Sequence, residues 1–128
     1  MNNLIIDAAR DKINLTFILS VNIYTCSHEN SKINFEKLMI LINEFLKNNK
    51  SSLDDIDAIY VNRGPGSFAG IRNSLSTVKA LFLTKEIDYY CFSFDDFKES
   101  EASKYVDVPK LCEKYKIKKN LINPIYLS

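Results

Sequence analysis

The feature that most constrains the fold is a glycine-rich stretch at residues 62–72, which reads Asn-Arg-Gly-Pro-Gly-Ser-Phe-Ala-Gly-Ile-Arg. The 128-residue chain has three glycines, and all of them lie here: Gly64, Gly66 and Gly70. Glycine is needed where the backbone takes positive φ or where two segments approach closely. An apolar run rich in branched residues precedes the stretch, and apolar residues at helical spacing follow it. The sequence therefore predicts a strand, a tight loop and a helix with Ser67 as its N-cap.

Two interpretations of this loop are open. A glycine-rich loop that opens a helix can bind an anion, because free amide groups point toward the ligand. The nucleotide motifs do not match, however, since no lysine follows Gly70 and the glycine spacing is not G-x-G-x-x-G. The other interpretation is a tight turn that packs the helix closely on a sheet, and the spacing alone favours it.

The elements around the loop follow a recognisable order. Strands are predicted at residues 3–8, 12–19, 21–27, 56–61 and 89–93, and helices at 33–49, from the glycine loop to about 85, and at about 107–116 with Pro109 in the first turn. The first three strands are expected to form an antiparallel meander. This order is that of the ribonuclease H-like unit shared by the actin, Hsp70 and sugar kinase superfamily. The predicted fold is therefore α/β, a single lobe with a mixed five-stranded sheet and flanking helices.

Composition excludes several broad classes of protein. The formal net charge is +1, so no large basic surface for nucleic acid or membrane is expected. Cys26, Cys91 and Cys112 match no metal or disulfide motif and are interpreted as buried thiols in a reducing compartment. No basic leader and no window long enough to span a membrane is found. A cytoplasmic location is expected.

A metal-dependent nuclease of this fold would need three carboxylates. Asp7 at the end of the first strand supplies one, and Glu36 or Glu44 on the first helix a second. The third position falls on Asn62 or Arg63, neither of which is acidic. Asp7 is instead expected to be a turn residue that accepts hydrogen bonds from its own backbone.

Other catalytic chemistries also lack a required residue. An actin-like ATPase needs glycine and a hydroxyl after the first strand, whereas this chain has Ala8-Ala9 there. A metallopeptidase needs a pair of histidines, and the chain has one, His28, interpreted as a surface residue. Nucleophilic catalysis by Ser67 or a cysteine would lack a base for the same reason. No catalytic residue and no metal site is predicted.

The residues from Gly64 to Arg72 resemble the G-P-G-S-F-T-G-x-R signature of the TsaB family, also called YeaZ. The signature residues are Gly64, Pro65, Gly66, Ser67, Phe68, Gly70 and Arg72, and Ala69 in place of threonine is the departure. Residues 6–9 resemble the family's I-D-T-x pattern, and 34–38 its H-S-E-x-L pattern. The resemblance covers residues 2–97 and extends to the P-x-Y-L ending at 124–127. Residues 1–97 are thus interpreted as the family's first lobe, and 98–128 as a short remnant in place of its second.

This resemblance implies a role in making N6-threonylcarbamoyladenosine in tRNA. In the family TsaB is a catalytically inactive scaffold that binds TsaD through two helices, and TsaE is an accessory ATPase. The resemblance implies a heterodimer with TsaD and indirect contact with tRNA. When TsaD is absent, we expect the helix surface described below to pair with itself in a homodimer. No cofactor is expected on the chain alone, and ATP or ADP would bind the partner complex. A degenerate ribonuclease H-like module that binds some other protein remains the alternative.

The helix after the glycine loop has an unusual outer side. Its predicted core stripe is Ile71, Leu75, Val78 and Phe82, and the opposite side lacks charge: Ala69, Asn73, Ser76, Ala80, Leu83 and Thr84. On the first helix, Ile40 and Leu41 fall outside the predicted core stripe, so we expect one apolar patch across both helices. Either a partner or the chain's own C-terminal segment would cover it. Arg72, a cation in the helix's first turn, is expected to have an anionic partner.

Overall fold

The computed structural model describes residues 1–98 and 104–126. Its strands are β1 (Asn3–Asp7), β2 (Lys12–Leu19), β3 (Asn22–Glu29), β4 (Ala58–Asn62) and β5 (Asp88–Phe92). Its helices are α1 (Lys32–Glu36), α2 (Leu38–Asn48), α3 (Phe68–Lys85) and α4 (Val108–Lys114). Short 3-10 turns lie at 53–55, 94–96 and 105–107. None of the described helices is long and apolar enough to cross a membrane.

The strands form one sheet in the order β3-β2-β1-β4-β5. β1, β2 and β3 are antiparallel neighbours, whereas β4 and β5 run parallel to β1. β1 and β4 are buried along their whole length, as the continuous apolar runs in both strands require. The predicted mixed five-stranded sheet with flanking helices is confirmed. Because β1, β4 and β5 are parallel, the ends of all three meet at one edge of the sheet.

The predicted helix at 33–49 is two helices that meet at Lys37. Ser31 caps α1 by accepting a hydrogen bond from the Asn34 amide, and Lys37 leaves helical geometry. The buried residues of α2 then recur at the spacing of a single core stripe: Leu38, Leu41, Ile42, Phe45 and Leu46. The prediction that Leu41 lies on the outer side is therefore wrong, because the break uncouples the core side of α2 from Phe35. Ile40 is 54% exposed, as predicted.

α3 begins and ends close to the predicted positions. The hydroxyl of Ser67 accepts a hydrogen bond from the Gly70 amide at 3.2 Å, which confirms Ser67 as the N-cap. The helix stops where Glu86 takes a left-handed conformation with φ of 56°. Its buried side includes Ser74 and Leu81, whereas Phe82 is only half-buried. The core stripe is thus rotated from the predicted one.

The second face of the sheet is covered by residues that follow the last strand. Val108, Leu111 and Cys112 of α4 pack in one apolar cluster with sheet residues that include Ile5 and Phe92. Pro109 lies in the first turn of α4, as predicted. The described part of the predicted remnant, residues 104–126, thus packs on the same sheet as residues 1–97. The ending at 127–128 and the acidic residues Glu99 and Glu101 lie outside the described residues.

Candidate functional site

The three glycines of the loop are each in close contact with another part of the backbone. A methyl group at Gly64 would overlap the carbonyl oxygen of Ile125, and Gly64 has a φ of 111°. A methyl group at Gly66 would overlap the carbonyl oxygen of Ala9, and one at Gly70 that of Ala8. The glycines therefore allow the loop to pack against the β1–β2 connection on one side and the C-terminal segment on the other.

Hydrogen bonds hold the loop in the same place. The side-chain oxygen of Asn62 accepts from the Gly64 amide at 2.9 Å. The Ser67 amide donates to the carbonyl of Ala9 at 3.0 Å, and the Ile125 amide donates to the carbonyl of Arg63 at 2.7 Å. The amides of Gly64, Ser67 and Gly70 are thus bonded within the chain and are not offered to a ligand. The geometry supports the interpretation of a packing turn.

The β1–β2 connection does not fit the phosphates of a nucleotide. Ala8 and Ala9 are buried, at 0% and 5% exposure, under the glycine loop. The Ala9 amide donates to Asp7 Oδ1 at 3.0 Å, so it is not free to bind phosphate. Neither the backbone nor the side chains at this position offer the donors that a phosphate loop requires.

Asp7 is fully buried and its carboxylate is held on several sides. Besides accepting from the Ala9 amide, as predicted for a turn residue, it accepts from the hydroxyl of Tyr105 at 2.6 Å. The Arg10 Nε lies 3.4 Å from Oδ2. Burial and the neighbouring carboxylate raise the pKa of Tyr105, so its hydroxyl remains a donor. Tyr105 is not recognisable from the sequence pattern, because its partner lies 98 positions away along the chain.

The arrangement does not favour a two-metal nuclease. Glu36 and Glu44 are exposed on α1 and α2, while Asp7 is enclosed and Asn62 is bonded to the glycine loop. Within residues 1–98 and 104–126, no three metal-binding side chains cluster together. His28 is half-buried on edge strand β3, and its Nε2 lies 3.8 Å from the sulfur of Cys26.

Arg63 joins the glycine loop to two other segments. One Nη atom donates to the carbonyl of Asn123 at 3.1 Å, and the other to Asp96 Oδ1 at 2.7 Å. The second oxygen of Asp96 accepts from the Ser93 amide at 2.8 Å. Asp96 therefore both closes a 3-10 turn and pairs with Arg63.

The outer face of α3 is defined here by its exposed residues, Phe68, Ala69, Arg72, Ser76, Lys79, Ala80, Leu83 and Thr84, with Asn73 at its border. The predicted uncharged residues lie on it, and Leu83 is 68% exposed. Arg72 and Lys79 lie on it too, so the prediction that the whole of this face is uncharged is wrong. The reason is the rotated core stripe, which turns these two cations outward.

Several polar groups of this outer face are satisfied within the helix. The amide of Asn73 donates to the carbonyl of Ala69, and the hydroxyl of Thr84 to that of Ala80, both at 2.7 Å. A surface whose polar groups are already paired loses less on leaving water than one whose groups are paired with solvent. The part of the face around Ala80 is thus suited to contact with another helix.

The C-terminal segment covers one side of the outer face. The ring of Tyr126 packs on that of Phe68, with 4.7 Å between ring centroids. A shallow cavity of about 220 Å³ lies between this segment and α3, lined by Arg72, Lys79 and Ile122 among others. Among the described residues, no carboxylate forms an ion pair with Arg72. The chain's own C-terminal segment therefore covers only part of this face, since Ala80 and Leu83 stay exposed.

Ile40 does not extend this face into a large apolar patch. Its neighbours at helical spacing on α2 are polar and exposed: Asn43, Glu44 and Lys47. Leu41, which was expected to enlarge the patch, is 6% exposed and belongs to the core. The outer face of α3 is therefore the main candidate surface of this side of the molecule.

The element order, the mixed sheet and the loop after β4 define an α/β protein with a ribonuclease H-like fold. A family model described as "TsaD: tRNA N6-adenosine threonylcarbamoyltransferase" matches residues 29–93, about half of the chain. The chain is 35% identical over 80 residues to "tRNA threonylcarbamoyladenosine biosynthesis protein TsaB" of Buchnera aphidicola subsp. Baizongia pistaciae, which covers 54% of this chain and 36% of that protein. It is 30% identical over 90 residues to the protein of the same name from subsp. Schizaphis graminum, covering 70% and 43%.

Among solved structures, the chain is similar to YeaZ from Pseudomonas aeruginosa, with a TM-score of 0.66 and 20% identity over 72% of this chain and 43% of that one. At that identity the likeness shows the fold. The TsaB relatives and the matching family model show that the chain belongs to the TsaB (YeaZ) family. The chain spans about 36% to 43% of the length of these curated relatives.

Proposed function

We propose that the chain is a non-catalytic subunit in the synthesis of threonylcarbamoyladenosine in tRNA, and that it binds TsaD. The names of the TsaB relatives and of the matching family model support the pathway. The observation that carries the binding role is the outer face of α3, which is exposed around Ala80 and has the side chains of Asn73 and Thr84 satisfied within the helix. We propose this face as the surface that meets TsaD.

A scaffolding role agrees with the residues at the edge of the sheet where catalytic groups would lie. Asp7 is enclosed by Tyr105 and Arg10, and Asn62 stands where a nuclease would need an acid. Ala8 and Ala9 are buried against the glycine loop, and the Ala9 amide is bonded to Asp7. We therefore propose that ATP or ADP binds the complex with TsaD and TsaE rather than this chain alone, and that tRNA is held by the partners in the cytoplasm.

The same face is proposed to pair with itself when TsaD is absent. Two copies that meet across a two-fold axis each use the same patch of small side chains. Assembly therefore ends at the dimer, because no copy of the patch is left to bind a third chain. The dimer and the complex with TsaD then compete for one surface. Adding TsaD is expected to convert the homodimer into a heterodimer.

The test is to replace Ala80 by arginine. Ala80→Arg places a long cation where two helix backbones must approach, while the core side of α3 is untouched. The matched control is Asn48→Arg, an exposed position on α2 rather than on α3. We expect both variants to fold by circular dichroism, and only Ala80→Arg to lose the homodimer in light scattering and TsaD in a pull-down.

A second variant, Arg72→Ala, tests the charged side of the face. Removing a cation from the first turn of α3 is expected to leave the free energy of unfolding unchanged or raise it by about 0.3–1 kcal/mol. It is expected to weaken TsaD binding if TsaD supplies the anion. If Ala80→Arg and Arg72→Ala both bind TsaD like the wild type, the interface lies elsewhere. If the chain purified from its native cell carries another protein and no TsaD, the alternative is correct, and the chain is a ribonuclease H-like module that binds that other protein.

A further inference from the structure

A polar cavity of about 230 Å³ lies where the ends of β4 and β5 meet the segment that follows α4. It is lined by side chains from four parts of the chain: Arg63, Cys91, Asp96, Lys116, Lys118 and Asn123. None of these residues belongs to the outer face of α3. The cavity is therefore separate from the surface proposed to bind TsaD.

Positive charge predominates in this cavity. Its lining holds the cations of Arg63, Lys116 and Lys118, and one carboxylate, that of Asp96. Both oxygens of Asp96 are already engaged, one by Arg63 and the other by the Ser93 amide. No described acidic side chain forms an ion pair with Lys116 or Lys118. The cavity thus has an excess of two positive charges among the residues that line it.

Arg63 has one donor left over. Its two Nη atoms donate to Asn123 and Asp96, whereas its Nε is buried and has no hydrogen-bond partner. Leaving a buried donor of a charged group unpaired is costly, so such groups are almost always matched by an acceptor. The acceptor that fits here is one that also neutralises the nearby lysines.

We propose that this cavity binds a small oxyanion of the phosphate class. A phosphate group presents several acceptor oxygens and negative charge, which suit a cavity lined by Arg63, Lys116 and Lys118. The cavity has room for free phosphate and for the phosphate end of a small metabolite. Because Arg63 also carries the Asn123 contact, an anion here would stabilise the attachment of the C-terminal segment to the glycine loop.

The experiment follows the arginine Nε–H signals by nuclear magnetic resonance while phosphate is added at constant ionic strength. The chain has three arginines, Arg10, Arg63 and Arg72, so few signals need assignment, and Arg63→Lys identifies its own. We expect a saturable shift of the Arg63 signal with inorganic phosphate. The double variant Lys116→Gln, Lys118→Gln is expected to weaken binding by about tenfold or more. The matched control removes two distant lysines, Lys32→Gln and Lys47→Gln, and is expected to bind like the wild type.

Glycerol phosphate serves as a second ligand and identifies the source of the anion. Tighter binding of the ester than of inorganic phosphate would assign the cavity to a phosphorylated metabolite, and the reverse order to free phosphate. The proposal is overturned if phosphate moves the Arg63 signal no more than chloride does. It is also overturned if the Lys116, Lys118 double variant binds phosphate as well as the Lys32, Lys47 control. Neither result depends on whether TsaD binds α3.

Discussion

A carbonyl oxygen lies where the side chain of each glycine in the loop would begin. For Gly66 and Gly70 these oxygens belong to Ala9 and Ala8, and for Gly64 to Ile125. The obstructing atoms are backbone, so they cannot rotate away as a flexible side chain could. The glycines therefore fix the start of α3 against the end of β1. In this chain the signature loop of the family therefore serves mainly to pack α3 closely against β1.

Gly70→Ala is expected to destabilise the fold by about 1–3 kcal/mol or more, because the added methyl group overlaps the Ala8 carbonyl and approaches the Phe35 ring. In a helix with free space the same change would stabilise, since alanine is the better helix former. The sign of the change in the free energy of unfolding therefore shows whether Gly70 is tightly packed or has free space beside it. Urea unfolding measures it, with Ala80→Gly at an exposed position as the control, expected to cost about 1 kcal/mol. A stabilised Gly70→Ala protein would contradict the close approach.

Two buried thiols predict how stability depends on pH. Burial raises the pKa of Cys91 and of Cys112 from 9.0 to about 12. Between pH 9 and pH 12 the unfolded chain loses thiol protons that the folded chain keeps. The two thiols therefore contribute fully to the free energy of unfolding below pH 9, and this contribution is lost as the pH rises toward 12. Urea unfolding at pH 8 and pH 10 is expected to show lower stability at pH 10. A Cys112→Ala variant is expected to show a shallower decline, and an equal decline in both proteins would contradict the assignment.

At the scale of elements, the sequence predicted which segments are strands and helices better than which way the helices face. Alternation and apolar runs located all five strands to within two residues, because a strand has only two sides. A helix can rotate about its axis, and small shifts change its contacts. The break at Lys37 brought Leu41 into the core, and the burial of Ser74 and Leu81 turned Arg72 outward. Such shifts depend on packing between elements, which periodicity does not describe.

The contact between Tyr105 and Asp7 joins residues 98 positions apart and could not be predicted from spacing. It ties the turn before α4 to the end of β1. Tyr105→Phe keeps the ring and removes the donor to a buried carboxylate, so we expect a loss of about 1–3 kcal/mol in the free energy of unfolding. Tyr24→Phe on β3 is the control, because the Tyr24 hydroxyl has no hydrogen bond in the described part of the chain. Equal stability of the two variants would show that Asp7 does not depend on Tyr105.

For the molecule as a whole, the residues after β5 complete the fold. The sheet is apolar on both faces, and α1, α2 and α3 cover only one. The other face, around Ile5, Tyr60 and Phe92, is covered by α4. This segment was predicted to be a remnant, because its low content of apolar residues does not indicate that it closes a core. Burial of an apolar sheet face contributes about 25 cal/mol for each Å² removed from water, so its covering matters for stability.

Two truncations separate the role of α4 from that of the chain end. A chain that stops at residue 98 loses α4, and we expect it to bind a hydrophobic dye and to aggregate, because an apolar sheet face is left in water. A chain that stops at residue 120 keeps α4, and keeps the Asn120 contacts to β5. It loses the Ile125 bond to Arg63 and the Tyr126 contact with Phe68. We expect it to remain folded by circular dichroism with a lower urea midpoint. A monomeric, dye-free protein from the shorter truncation would show that α4 is not needed to cover the sheet.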